Sequence, residues 1–164
     1  MLITKFTRVA VEGDTTDGRQ IERKHIEQMG KNYSPVKYGA RIWLEHLRGI
    51  LPDSVFRAFG DVVAVKAEET EIDGQKKMAL FARLAPTPDL VAMNKARQKM
   101  FTSIEIDPAF ANTGEAYLVG LAVTDSPASL GTEMLEFCSK AGDKNPLNAK
   151  KQKPENIFTA AREF

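Results

Sequence analysis

Residues Asp61 to Ala85 read DVVAVKAEETEI, then DG, then QKKMALFARLA. Asp73-Gly74 is the dipeptide favoured in two-residue hairpin turns, because both central positions of such a turn need a positive φ. The flanking runs, Asp61 to Ile72 and Lys76 to Ala85, are long, rich in β-formers and free of proline. They predict a β-hairpin, and the rest of the chain is read outward from it. On its C-terminal side, Thr87-Pro88-Asp89 supplies an N-cap, a first-turn proline and a first-turn acid, which predicts a helix from Pro88 to about Lys99. Phe101 to Pro108 follows as a strand whose period of two sets Thr102, Ile104 and Ile106 on one face and Phe101, Ser103 and Glu105 on the other. Ala116 to Thr124 is a further apolar strand, entered through Thr113-Gly114 and left through Asp125-Ser126-Pro127-Ala128. Thr132 to Ser139 reads as a short helix.

On the N-terminal side, Leu2 to Val11 alternates as a strand, and Gly13 to Arg19 is a polar, turn-rich loop. Ile26, Met29 and Tyr33 fall at helical spacing within Glu22 to Asn32, a helix ended by Ser34-Pro35. Arg41 to His46 predicts a short strand with Ile42, Leu44 and His46 on one face and Trp43 and Glu45 on the other. Between Arg48 and Phe59, Pro52-Asp53-Ser54 reads as a turn leading into a helical fragment. Strands in runs, interrupted by a few helices, are compatible with an α+β domain.

With 164 residues, 43% of them hydrophobic, the chain can bury one substantial core. Its 23 basic and 22 acidic residues argue against a general nucleic-acid or anionic-membrane binder. No run approaches the roughly 18 apolar residues of a membrane span, and Met1 to Lys5 lacks the apolar region of a signal peptide. A single cysteine, Cys138, permits no internal disulfide, so the expected compartment is the cytosol. Composition changes after position 139, where Lys140 to Lys153 carries five lysines and one aspartate, as in a linker. Residues 1–139 hold 17 basic and 19 acidic groups, which confines the basic excess to the tail. From Pro154 to Phe164, Ile157, Phe158, Ala161 and Phe164 share a helical face suited to docking.

Two histidines and six serines limit the catalytic possibilities. His25 lies in a charged helix, where a solvated role is the ordinary one. His46, among Trp43, Leu44 and Leu47, suits either a satisfied structural histidine or a general base. Ser34, Ser54, Ser126 and Ser129 fall in turns or beside prolines, and Ser139 ends a predicted helix. Ser103 alone lies inside a strand, where serine has little local structural use, so it is the candidate nucleophile if a base reaches it. A third, orienting carboxylate is open among Asp17, Asp14, Glu45 and Asp61.

Four strings taken together resemble the GPO family of tailed-phage capsid scaffolding proteins: Gly13 to Arg19, Leu44 to Asp53, Thr102 to Ile106, and Leu118 to Glu133 with its Pro127-Ala128-Ser129-Leu130-Gly131 segment. The resemblance spans about residues 5–148. It implies a serine peptidase at residues 1–139 that acts on itself and on capsid precursors during head assembly, with Ser103 as nucleophile, His46 as general base and Asp17 as third member. It also implies a fold like that of the herpesvirus maturation peptidases, a single domain built on a mainly antiparallel, closed β-barrel surrounded by helices. Partners would be the major capsid protein, other head precursors and further copies of the chain, inside the assembling procapsid in the host cytoplasm; no cofactor, nucleic acid or membrane is expected. Such proteins usually continue into a long charged C-terminal scaffold; residues 140–164 would be a basic linker and its beginning, the remainder missing through truncation, natural brevity or self-cleavage. The loop Thr124 to Gly131, rich in small residues, suits equally the oxyanion hole that such chemistry requires and a plain strand-to-helix connection.

Three other readings fit the same residues. One is a non-catalytic capsid-assembly binding module. The second is a thiol hydrolase using Cys138 with His46, against which stands the apolar setting of that cysteine. A metal hydrolase is the third, and no His-Glu-x-x-His pair or cysteine cluster supports it.

Overall fold

The computed structural model describes residues 1–137. The predicted hairpin is its longest feature: β5 (Gly60–Ile72) and β6 (Gln75–Pro86) pair antiparallel along their whole length. Asp73 and Gly74 make the turn with φ of 52° and 76°, the pair of positive values that the turn requires. Around it the chain runs β1 (Thr7–Val11), β2 (Gly13–Asp14), β3 (Gln20–Ile21), α1 (Arg23–Asn32), α2 (Pro35–Tyr38) and β4 (Arg41–Leu44). After the hairpin come α3 (Pro88–Lys95), β7 (Phe101–Phe110), a 3-10 turn at Ala111–Thr113 and β8 (Glu115–Thr124).

Six strands form one sheet in the order β1-β6-β5-β4-β8-β7, with β2 and β3 as a separate two-stranded ribbon. All ladders in the sheet are antiparallel except β4 with β8. Register shifts in β1 and β5 and at two places in the β7–β8 ladder bend the strands, which is how bulges curl a sheet. The result is a curled half-barrel. Its edge strands β1 and β7 come together without a ladder between them, and among the described residues three α-helices accompany it. The concave side is filled by Val9, Ile42, Val62, Leu80, Leu84, Leu118 and Leu121, covered by Ile26 and Met29 of α1.

Several local expectations are corrected. The first strand begins at Thr7, not Leu2. α1 ends at Asn32, just before Ser34-Pro35 as expected, but that pair also starts a further helix: the Ser34 hydroxyl accepts from the Val36 amide and Pro35 occupies the first turn of α2, a position where proline costs nothing. The helix after Thr87 stops at Lys95 because Arg97 and Lys99 adopt φ of 58° and 57°, outside the helical region. No helical fragment forms between Arg48 and Phe59; a loop closed by the Gly49 amide on the Phe56 carbonyl (2.8 Å) stands there, with Ile50, Leu51 and Val55 exposed.

The helix expected over Thr132 to Ser139 is also absent within the described residues. Glu133 and Leu135 instead donate their amides to the carbonyls of Arg8 (2.9 Å) and Met100 (2.6 Å). The Asn94 side chain gives its Nδ2 to Leu135 O (2.8 Å) and accepts from Phe137 N (3.0 Å). The segment is thus tied to β1 and to the residue before β7, and burial of Leu135 and Phe137 favours that course over a helix. Cys138, the lysine-rich stretch and the amphipathic tail lie outside the described residues.

Candidate active site

Ser103 sits near the start of β7, opposite Ala122 of β8, and is half-buried. The alternation read from sequence holds on its inner face: Thr102 is fully buried, and Ile104 and Ile106 pack against the core. β7 is an edge of the sheet, so its unpaired side adjoins open space. There a cavity of about 410 Å³ is lined by Ser103 and Glu105, by His46 and Arg48 from the chain after β4, and by Thr15 and Arg19 from the β2–β3 ribbon. Ile104 and Ile106 reach the cavity as well as Ser103 and Glu105. Ala128 adds to the wall; it is the one residue that the proposed oxyanion loop Thr124 to Gly131 contributes.

His46 reaches this cavity by a route different from the one predicted. The strand ends at Leu44, and Leu44-Glu45-His46-Leu47 is a turn, closed by the Leu47 amide on the Leu44 carbonyl (2.9 Å). Glu45 and His46 take φ of 53° and 63°. Both central positions are left-handed, so the turn resembles the one at Asp73-Gly74 but without a glycine. For such residues this conformation costs on the order of 1 kcal/mol each. His46 therefore does not share a strand face with Ile42 and Leu44; it is exposed, with its side chain at the cavity.

Asp17 lies in the exposed turn from Thr15 to Gly18. Its carboxylate receives Arg19 Nη2 at 2.7 Å and Nε at 3.0 Å, and the Thr15 hydroxyl donates to its other oxygen. These bonds, Arg19 foremost and Thr15 next, lower its pKa to about 2. Asp17 is thus ionised throughout the ordinary pH range. Its neighbours Thr15 and Arg19 line the cavity; Asp17 itself makes no hydrogen bond to His46 and is not among the lining residues. The other three carboxylates weighed above are also engaged: Asp14 with Gln20 (3.0 Å), Glu45 with Lys99 (2.9 Å) and Thr124 (3.0 Å), and Asp61 with Arg41 (2.9 Å).

Two cavity groups were not singled out from sequence. Arg48 Nη2 donates to Glu105 Oε1 at 2.8 Å, and its guanidinium lies over the Trp43 ring, 5.0 Å from the centroid. Gly120, paired with Glu105 across the ladder, leaves room for this: a Cβ there would meet Glu105 Oε1 at 2.9 Å and Arg48 Nη2 at 3.0 Å. The position of Glu105 two residues from Ser103 was a usable signal, whereas nothing local marks Arg48. Among the described residues, no group of three His, Cys, Asp or Glu side chains gathers at ligand distance, and no helix is long and apolar enough to cross a membrane.

The entry to β7 is held by Asp125, whose two oxygens accept the amides of Lys99 (3.1 Å) and Met100 (3.0 Å). The Met100 amide is the largest cause of the lowered pKa of this carboxyl, followed among the favourable contacts by the Lys99 amide and the Lys99 charge. A depressed folded pKa contributes stability that is present above the unfolded value, near 3.9, and is lost as pH falls through the folded value. Asp125→Asn is therefore expected to destabilise the domain by about 1 kcal/mol at neutral pH, a figure reduced for the exposure of this group. In thermal unfolding followed from pH 7 to 2, the gap between the two proteins should narrow as pH drops below about 4; a constant gap would contradict the assignment.

The strand bearing Ser103 and the turn bearing His46 thus meet in one cleft on a strand-rich α+β domain. The chain belongs to the GPO serine peptidase family: the model described as GPO serine peptidase, N-terminal domain, matches residues 4–140. Among curated proteins, the chain is similar to the capsid assembly scaffolding protein of Escherichia phage P2, with 58% identity over 161 residues. That alignment covers 97% of this chain and 56% of the phage protein, so the chain spans little more than half the length of this relative. No solved structure matches it.

Proposed function

We propose that this chain is a serine endopeptidase of tailed-phage or prophage head assembly, cleaving itself and capsid precursors by Ser-His-Asp acyl transfer. The observation that carries the reading is the meeting of Ser103 and His46 in one cavity from two separate elements. Ser103 Oγ attacks the scissile carbonyl as His46 takes its proton, and His46 then protonates the leaving amine. A water deprotonated by His46 next releases the acyl group from Ser103. Asp17 is the third member in this reading, which requires its carboxylate to turn from Arg19 to the His46 ring. Two observations favour Asp17: its neighbours Thr15 and Arg19 already face the cavity, and it carries its negative charge at any working pH. Catalytic hydrogen bonds are often incomplete before substrate binds.

Residues 1–139 form the peptidase in this reading and residues 140–164 begin a scaffold segment, in keeping with the family match over residues 4–140. The name of the phage relative supports capsid assembly as the setting. The partners are then the major capsid protein, other head precursors and the chain itself, within the procapsid in the host cytoplasm. The curled sheet is taken as the core of a barrel like that of the herpesvirus maturation peptidases.

A fluorophosphonate, which acylation-competent serines attack, tests the proposal. Peptide mapping of the intact chain should find the adduct on Ser103, and a chelator should not change its rate. Absence of labelling at Ser103, or labelling of Cys138 by a thiol reagent with loss of activity in its place, would overturn it. An unlabelled protein that still binds capsid precursors would instead be a non-catalytic assembly module.

A further inference from the structure

Glu45 precedes the proposed base and shares its left-handed turn, yet glutamate has no intrinsic preference for that conformation. Something must hold it there. Its amide donates to the Val123 carbonyl at 3.2 Å, extending the β4–β8 ladder by one residue beyond Leu44. Its carboxylate accepts the Thr124 hydroxyl on Oε1 at 3.0 Å and Lys99 Nζ on Oε2 at 2.9 Å. Thr124 is buried at the end of β8 and paired with Phe101, two residues before Ser103. Lys99, itself at φ 57°, is held through its amide by Asp125 just before β7.

From this geometry we propose that Glu45 is a positioning residue for the reaction, one that fixes the turn carrying His46 to the strand carrying Ser103. The inference rests on the reading of His46 as general base. Beyond the backbone ladders that already join them, the carboxylate adds a side-chain tie among three segments: the turn after β4, the end of β8 and the entry to β7. Two strained residues in sequence mark a place where surrounding contacts override local preference, and such strain gathers where a side chain must be aimed. Losing the tie frees the turn to relax, and a base displaced by about 1 Å can cost roughly a hundredfold in rate.

Glu45→Gly separates aiming from folding, because glycine adopts φ near 53° without strain while removing the carboxylate. Its melting temperature is expected to equal or exceed that of the parent, while labelling of Ser103 by the fluorophosphonate slows by about ten- to a hundredfold. Glu45→Gln keeps an acceptor for Thr124 and should recover most of the lost rate; Lys99→Met should lose a few-fold. A second readout is independent of activity. The chain has two histidines, so ring Cε1–H resonances of His46 can be followed with His25 as internal reference. The His46 signal should move or broaden in Glu45→Gly while that of His25 stays fixed.

An unchanged His46 resonance with an unchanged labelling rate would overturn the proposal. So would a rate that merely follows the melting temperature across all variants. Should the parent itself fail to label at Ser103, the peptidase reading falls, and the ring spectra still decide whether Glu45 orients His46.

Discussion

Ser103→Ala is expected to reduce peptide hydrolysis and phosphonate labelling on the order of a millionfold, the scale seen when a nucleophile is removed from a serine peptidase. Stability should change little, within about 0.5 kcal/mol. Both halves follow from the surroundings of the side chain. Ser103 is half-buried, and its hydroxyl makes no hydrogen bond among the described residues, so its removal leaves no buried donor or acceptor stranded. The backbone pairing of Ser103 with Ala122 and the core contacts of Ile104 and Ile106 are untouched. A structural serine behaves otherwise. Ser129 accepts the Val11 amide at 3.0 Å within a buried setting, and Ser129→Ala should lower the melting temperature without a proportionate loss of activity. Parallel rate and unfolding measurements on the two alanine variants would expose an error: equal residual activities, or a Ser103→Ala protein that unfolds, would contradict the role given to Ser103.

The contrast between these serines also marks what sequence reading can reach. Turn chemistry and period-two alternation are local signals, and they located the β5–β6 hairpin at Asp73-Gly74, the N-cap at Thr87 and the inner face of β7. The Ser103 candidate came from the last of these, and Ser103 does line a cavity. The route of His46 was not legible, because Glu-His has no preference for the turn it occupies. That turn depends on Lys99 and Thr124, which are more than fifty residues away in the chain. Asp17 illustrates the same limit from the other side. Only the family resemblance distinguished it from Asp14, Glu45 and Asp61, and in the folded domain it is paired with Arg19. The parallel β4–β8 ladder and the extended course of residues 132–137 likewise arise from partners remote in sequence, where a local helical pattern lost to hydrogen bonds with Arg8, Met100 and Asn94.

The largest stability effect is expected where local preference and packing disagree most sharply, at Gly30 in α1. By helix propensity alone, Gly30→Ala should stabilise the domain by roughly 1 kcal/mol. Packing predicts the reverse. A Cβ at position 30 would stand 2.5 Å from the Ala67 amide nitrogen and 2.7 Å from the Ala67 Cβ, on β5 in the middle of the sheet. Backbone cannot rotate out of the way as a side chain can, so the helix would have to lift. It is pinned on both sides of the contact: Ile26 and Met29 are fully buried, and the Tyr33 hydroxyl donates to Val62 O at 2.6 Å while accepting the Ala40 amide at 2.9 Å. Overpacking of this kind costs typically 1–3 kcal/mol and sometimes more. With the helical gain offset, a net loss of about 2 kcal/mol is expected, a large share of the roughly 5–15 kcal/mol that holds a domain together. Exposed Lys31→Ala, one residue further on, should move stability by no more than about 0.5 kcal/mol. Denaturant unfolding of the two variants beside the parent checks the pair, and a Gly30→Ala midpoint above the parent's would show that α1 sits further from β5 than these contacts require.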